Sequence, residues 1–206
     1  MQSRRQTTVI EVPLELHDFT ITGGRQSSLE YYFDISDAGK ITVTNTFTVK
    51  QDVTGRFVLV NGGVIEVTGD LYCGAGSLGG TTQLKLTSAE DQYYEYSGGR
   101  FPALVIDKPG GALLPRNCDE LYLDRLELLQ GTFKAPSVVL DIAPWTFTVC
   151  TNLLYTGGVF LHNGATLRFS TLSDSRTRKD RQSIVTHLPL ELPNLTLSGG
   201  ATNTEL

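Results

Sequence analysis

The stretch Gly131-Thr-Phe133, Lys-Ala-Pro-Ser, Val138-Val-Leu-Asp-Ile142 is followed by Gly158-Val-Phe160, Leu-His-Asn-Gly, Ala165-Thr-Leu-Arg-Phe169. The same phrase is thus written twice: Gly, any residue, Phe, a turn, and a strand of alternating apolar residues. The copies start 27 residues apart. A looser copy begins at Gly55-Arg-Phe57 and runs on through Val-Leu-Val-Asn-Gly-Gly to Val64-Ile-Glu-Val67. Alternation over four to six residues marks a strand with one buried side, and a phrase repeated at this spacing marks a stacked repeat architecture. One coil of roughly 20–27 residues holds two or three short strands and their corners, and it cannot bury a core alone. Stacking coil on coil pairs each strand with its equivalent above and below and sets like residues on like.

The rest of the chain fits this reading. Lys40-Ile-Thr-Val-Thr-Asn-Thr-Phe-Thr-Val49 and Trp145-Thr-Phe-Thr-Val149 alternate strictly. Leu121-Tyr-Leu-Asp-Arg-Leu-Glu-Leu-Leu129 is the one stretch with helical character, but its leucines fit two alternating pairs around an Asp-Arg turn better than one helical face. A third phrase, a short strand closed by Gly-Gly, occurs at Leu16–Gly24, Phe101–Gly111 and Leu192–Gly200. Phe19, Leu104 and Leu195 are its matching positions, 85 and 91 residues apart, which suggests one domain over 1–206 with two long units at about 14–103 and 104–195. The expected fold is therefore all-β: a right-handed parallel β-helix or β-solenoid, with a two-sheet jelly-roll sandwich as the alternative.

Composition narrows the function classes. Only 19% of residues are charged and the net charge is -5, so the chain lacks the basic footprint of a nucleic-acid binder. No run approaches the length of a membrane span, and no apolar segment follows Met1 in the manner of a signal peptide. Cys73, Cys118 and Cys150 are odd in number and form no Cys-x-x-Cys, which suits buried thiols better than a zinc site or a disulfide framework. His17, His162 and His187 have no metal-ligand partner nearby in sequence, so no metal is expected.

Candidate chemistry is sparse. Gly74-Ala-Gly76-Ser-Leu-Gly79 matches a dinucleotide fingerprint literally, but that motif needs a helix to start there and the following Gly80-Thr-Thr-Gln-Leu-Lys-Leu-Thr87 reads as strand. No cofactor is expected. Asp107, Asp124 and Asp141 are spaced by 17 residues and could lie on successive coils, as glycoside-cleaving carboxylates must lie near each other; a solvent-facing row at turns explains them equally. Tyr93, Tyr94 and Tyr96 are the candidates for stacking on a sugar or a partner, with packing over a corner as the plainer reading. The basic stretch Thr171–Gln182 reads as a solvated loop.

The ordered series over residues 121–200 (the two Gly-x-Phe phrases, Gln182-Ser-Ile and Leu192-Pro-Asn-Leu-Thr-Leu197) resembles the repeat unit of large bacterial secreted and cell-surface proteins of adhesin-like type. Residues 14–111 follow it more loosely and lack the Ala-Pro-Ser turn. The resemblance implies an extracellular β-solenoid with no catalytic residues to carry over. The expected function is a non-enzymatic structural or adhesive segment, including a fibre subunit or stalk that associates head-to-tail. A carbohydrate-binding or carbohydrate-cleaving β-helix is the alternative.

Overall fold

The computed structural model describes residues 4–8, 12–23, 31–36, 40–51, 58–143, 150–170 and 182–198, with backbone alone at 4–8, 31, 150 and 182. Trp145–Val149, the Gly55-Arg-Phe57 phrase and most of the basic stretch lie outside them. In chain order the strands are β1 (Arg4–Thr8), β2 (Leu14–Thr22), β3 (Tyr31–Ile35), β4 (Lys40–Lys50), β5 (Val58–Asn61) and β6 (Val64–Val67). They continue with β7 (Asp70–Gly74), β8 (Gln83–Leu86), β9 (Gln92–Ser97), β10 (Ala103–Pro115), β11 (Glu120–Leu123) and β12 (Leu126–Lys134). The last are β13 (Val139–Ile142), β14 (Cys150–Tyr155), β15 (Val159–Leu161), β16 (Thr166–Ser170), β17 (Gln182–Thr186) and β18 (Asn194–Ser198). No helix occurs among the described residues, and every strand pairing is parallel. A jelly roll is built from antiparallel strands, so the sandwich alternative falls.

The chain winds as a β-solenoid with three faces. Along the first face eight strands lie side by side: β2, β4, β6, β8, β10, β12, β14 and β17. Register sets Leu14, Ile41, Ile65, Leu84, Leu104, Leu126, Leu153 and Ile184 in one row. The second face is made by the far halves of β2 and β4, by β7, β9, the far halves of β10 and β12, and β15. The third carries β1, β3 and β5, then single bridges at Ser77, Leu78, Arg100 and Phe101, then β11, β13, β16 and β18.

Alternation explains why these rows exist. Within each strand every second side chain points inward, and the inward rows are almost wholly aliphatic or aromatic. Leu84, Leu104, Leu126 and Leu153 are fully buried, as are Leu86, Ile106 and Leu128 two residues on. The second face adds ring contacts: Phe19 to Phe47 at 6.0 Å, Tyr94 to Phe133 at 6.0 Å and Phe133 to Phe160 at 5.7 Å between centroids.

The 27-residue phrase is a true coil period. Phe133 pairs with Phe160, and Val139–Ile142 pairs with Thr166–Phe169 residue for residue. Its leading glycines stack too: Gly131 and Gly158 both have positive φ, +85° and +77°, and a Cβ on Gly158 would lie 2.3 Å from the Gly131 carbonyl oxygen. Elsewhere the coil length varies. Nineteen residues separate Ile65 from Leu84 and 31 separate Leu153 from Ile184 along the same row. First-face pairing is kept through both. The longer Gly-Gly phrase is not a coil period: Phe19 faces Phe47 on the second face, Leu104 lies on the first, and Leu195 faces Leu167 on the third. The Leu121–Leu129 stretch is strand, Asp124-Arg125 turn, strand, as its alternation suggests.

One corner breaks the apolar rule. β10 passes from the first face to the second through a bulge, with register shifts at Asp107 and between Asp107 and Ala112. Lys108, in that bulge, is fully buried. Its Nζ donates to the Glu90 carbonyl oxygen at 2.8 Å and to Gln92 Oε1 at 2.6 Å. Gln92, also buried, in turn donates through Nε2 to the carbonyls of Val67, at 3.1 Å, and Gly69. A buried charge persists only when hydrogen-bonded in this way.

Two tests follow from this packing. Leu104→Ala removes a central member of the first-face row and should lower unfolding free energy by about 2–5 kcal/mol in a denaturant titration. Burial pushes Lys108 down from its ordinary 10.5 to about 8. Between those two values the unfolded chain binds more protons than the folded one, so the Lys108 contribution to stability rises with pH across that window. Denaturant midpoints between pH 8 and 10.5 should therefore climb less steeply in Lys108→Met than in the parent chain; parallel slopes would contradict the assignment.

Candidate functional site

The richest polar cluster lies on the outside of the third face. Alternation sends Leu121 and Leu123, Leu140 and Ile142, Leu167 and Phe169 inward, which leaves Tyr122, Asp141 and Arg168 as the outward residues of β11, β13 and β16. Register sets them in one row, Tyr122 beside Asp141 and Asp141 beside Arg168. Arg168 reaches back along the row. Its Nε and Nη2 donate to Asp141 Oδ2 at 2.7 and 2.6 Å, and Nη2 also donates to the Tyr122 hydroxyl at 3.0 Å. Ser170 Oγ donates to both Asp141 oxygens, at 2.8 and 2.9 Å. Asp141 is thereby covered to 1% exposure, although its strand position faces outward.

Arg100 completes the row one coil earlier. It is buried, donates through Nη1 to the Leu123 carbonyl oxygen at 2.8 Å, and its Nε stands 3.9 Å from Asp124 Oδ1. The other Asp124 oxygen accepts the Gly80 amide at 2.7 Å. The glycine itself answers to the backbone: Gly80 has φ +130°, and a Cβ there would fall 1.9 Å from the Val60 carbonyl oxygen. The Tyr122 ring carries Arg168 at 5.3 Å and Arg100 at 5.7 Å from its centroid, and Tyr96 stacks on it at 5.5 Å. Burial holds the Arg100 guanidinium below its ordinary pKa, against the opposing pull of Asp124 and Asp141. For Arg168 burial also pulls down, but the hydrogen bonds to Asp141 and Tyr122 outweigh it and the net shift is upward. Burial raises the Tyr96 phenol well above its usual value.

The arrangement is closed chemistry. Asp107, Asp124 and Asp141 do not share a row. Asp107 ends the first-face part of β10, where Lys85 pairs with it at 2.7 Å and Gln130 Nε2 donates to it at 2.7 Å. Asp124 sits at the corner between third and first faces, and Asp141 on the third. The coils between them are longer than 17 residues, so that spacing cannot repeat a position. Lys85 first, and then Gln130, hold the Asp107 carboxyl below its usual range.

The three tyrosines diverge as well. Tyr94 points into the core, fully buried, and its hydroxyl donates to the Lys134 carbonyl oxygen at 2.9 Å. Tyr93 points out, and Arg116 covers its ring at 4.0 Å while paired to Asp70 at 2.8 Å. Tyr96 is half-buried against Tyr122, with its hydroxyl on the Gly99 carbonyl oxygen at 2.9 Å. No shared stacking platform results. The Gly74–Gly79 motif forms the corner between β7 and the Ser77 bridge, where no helix begins.

Cys73 is buried and Cys118 partly so; both are free thiols, and burial raises both above the usual thiol pKa. His162 occupies the recurring turn, where its Nδ1 accepts the Gly164 amide at 3.0 Å. Among the described residues no group of three or more His, Cys, Asp and Glu could hold a metal ion, and no helix is long and apolar enough to cross a membrane.

Sequence reading missed Arg100, Tyr122 and Arg168. One signal was present: Asp141 and Arg168 are 27 residues apart, the period of the Gly-x-Phe phrase, which puts them side by side. No family model, no curated protein and no solved structure matches the chain. The architecture implied by the resemblance to bacterial surface repeats is present; membership in that group has no match behind it.

If the row is structural, removing Arg168 should matter through Asp141. Arg168→Met leaves a covered carboxylate with Ser170 as its remaining side-chain donor, and should cost about 1–3 kcal/mol at pH 7. Urea titrations of both chains at pH 7 check this; equal midpoints would contradict a structural role for the row.

Proposed function

We propose that the chain is a non-enzymatic structural or adhesive β-solenoid module, of the kind found in secreted or cell-surface assemblies. One observation carries the reading. The three carboxylates best placed for chemistry are each engaged by partners within the fold: Asp107 by Lys85, Asp124 by the Gly80 amide, and Asp141 by Arg168. Aromatic rings that could receive a sugar are likewise engaged, Tyr93 by Arg116 and Tyr122 by Tyr96 and two arginines. Among the described strands β1, β2, β17 and β18 each leave one edge without a strand neighbour, and such edges form a surface on which further rungs can stack. Work as a fibre subunit or as a segment of a stalk uses that surface and needs no pocket.

The carbohydrate reading makes a different prediction, and binding separates the two. The chain should neither bind a broad glycan array nor release reducing ends from polysaccharides. Turnover that disappears in Asp141→Asn, with the fold intact by circular dichroism, would replace the structural reading with an enzymatic one. Secretion is tested separately, by protease accessibility of the protein on intact cells of its source.

A further inference from the structure

Asn-Gly occurs twice in the chain, as Asn61-Gly62 and Asn163-Gly164. The dipeptide carries a latent reaction. Glycine has no side chain to shield its backbone nitrogen, so that nitrogen can reach the amide carbon of the preceding asparagine and close a cyclic imide. The fold gives the two copies opposite surroundings.

Asn163-Gly164 forms the tip of the corner between β15 and β16, and both residues are exposed. Their φ values are +51° and +82°, and the Ala165 amide donates to the His162 carbonyl oxygen at 2.8 Å, which makes a type I′ turn. The Gly164 amide donates to His162 Nδ1 at 3.0 Å. A general base must lie within hydrogen-bond reach of the proton it takes, and this ring nitrogen already accepts that proton. The space around Gly164 is open: apart from its chain neighbours, a Cβ there would meet only the Ser137 carbonyl oxygen, at 3.9 Å. Asn163 is tethered by a long hydrogen bond, from Nδ2 to the Ala135 carbonyl oxygen at 3.3 Å.

Asn61-Gly62 is instead clasped by the next coil. Asn61 Oδ1 accepts from the Thr81 amide at 3.3 Å and from the Thr81 hydroxyl at 3.4 Å. The Gly62 amide donates to the same hydroxyl at 3.0 Å, and the Gly62 carbonyl oxygen accepts the Thr82 hydroxyl at 2.7 Å. A hydroxyl is a far weaker base than an imidazole, and ring closure would have to break this set of bonds.

We propose that Asn163 is a site of spontaneous modification, converted to aspartate and isoaspartate through a cyclic imide with His162 as the base, while Thr81 and Thr82 hold Asn61 back. The Gly164 nitrogen bonds to Asn163 Cγ and its proton passes to His162 Nδ1. The Cγ–Nδ2 bond breaks, and His162 returns the proton to the departing nitrogen, which leaves as ammonia. Solvent water then opens the imide at either carbonyl, giving aspartate or isoaspartate. The product has no N–H to offer the Ala135 carbonyl oxygen, so the tie from this turn to the preceding coil is lost and a negative charge takes its place. This chemistry is independent of the structural or adhesive reading.

The test is peptide mapping of the full folded chain after prolonged incubation at neutral pH, with asparagine, aspartate and isoaspartate separated at both positions. Aspartate and isoaspartate should accumulate at Asn163, and conversion at Asn61 should be several-fold slower. In urea, where the coils no longer distinguish the two sites, the rates should converge. Hydroxylamine, which cleaves the imide, should cut the aged folded chain between Asn163 and Gly164. His162→Leu should slow conversion at Asn163 several-fold. Should that variant misfold, the comparison of the two sites in the parent chain still decides. Equal rates at the two sites in the folded chain would overturn the proposal, as would a difference that persists in urea. Conversion at Asn163 that is unchanged or faster in folded His162→Leu would overturn it too.

Discussion

Parallel strand-on-strand stacking governs this molecule. Each inward side chain sits about 4.8 Å from its equivalent in the next coil, so the core is a set of rows and not a set of layers. A row tolerates substitution of one aliphatic residue for another, as in Ile41, Ile65, Leu84 and Leu104, but a charge in it must be hydrogen-bonded at once. Lys108 is the case in point. It enters the interior only where the β10 bulge brings the Glu90 carbonyl and Gln92 within reach. Gln92 itself enters only because the carbonyls of Val67 and Gly69 receive its amide.

The same constraint organises the outside. Adjacent coils bring outward residues into rows as well, so residues far apart in the chain become neighbours by register alone. Tyr122, Asp141 and Arg168 illustrate this, as does the Lys85–Asp107 pair on the first face. Such pairs at a partly exposed surface contribute little each, about 0–1 kcal/mol. Asp141 differs because it is covered, and its value is felt mainly when a partner is taken away. A site organised in this manner fixes neighbouring coils to one another. It leaves few groups for a ligand.

Stacking is not equally regular on the three faces. Strand pairing runs without a break along the first face from β2 to β17, whereas the third face is interrupted between β5 and β11, where single bridges at Ser77, Leu78, Arg100 and Phe101 stand in for strands. The buried Arg100 and Asp124 lie beside that interruption, where side chains do part of the work that a strand ladder does elsewhere.

The alternating runs and the 27-residue phrase were enough, from sequence alone, to specify an all-β stack of coils, the strand–turn–strand at Leu121–Leu129 and the pairing of Phe133 with Phe160. These are local matters: which side of a strand is apolar, and where glycine lets the chain turn. Coil length was not local. Corners of unequal length moved the Gly-Gly phrase from face to face, so its 85- and 91-residue spacing carried no structural equivalence. The site residues were hidden for the same reason. Whether Asp107, Asp124 and Asp141 share a row, or whether Tyr94 turns inward while Tyr93 turns outward, depends on where each corner ends and the next strand begins. Only the folded register, set by the sum of all preceding corners, decides that.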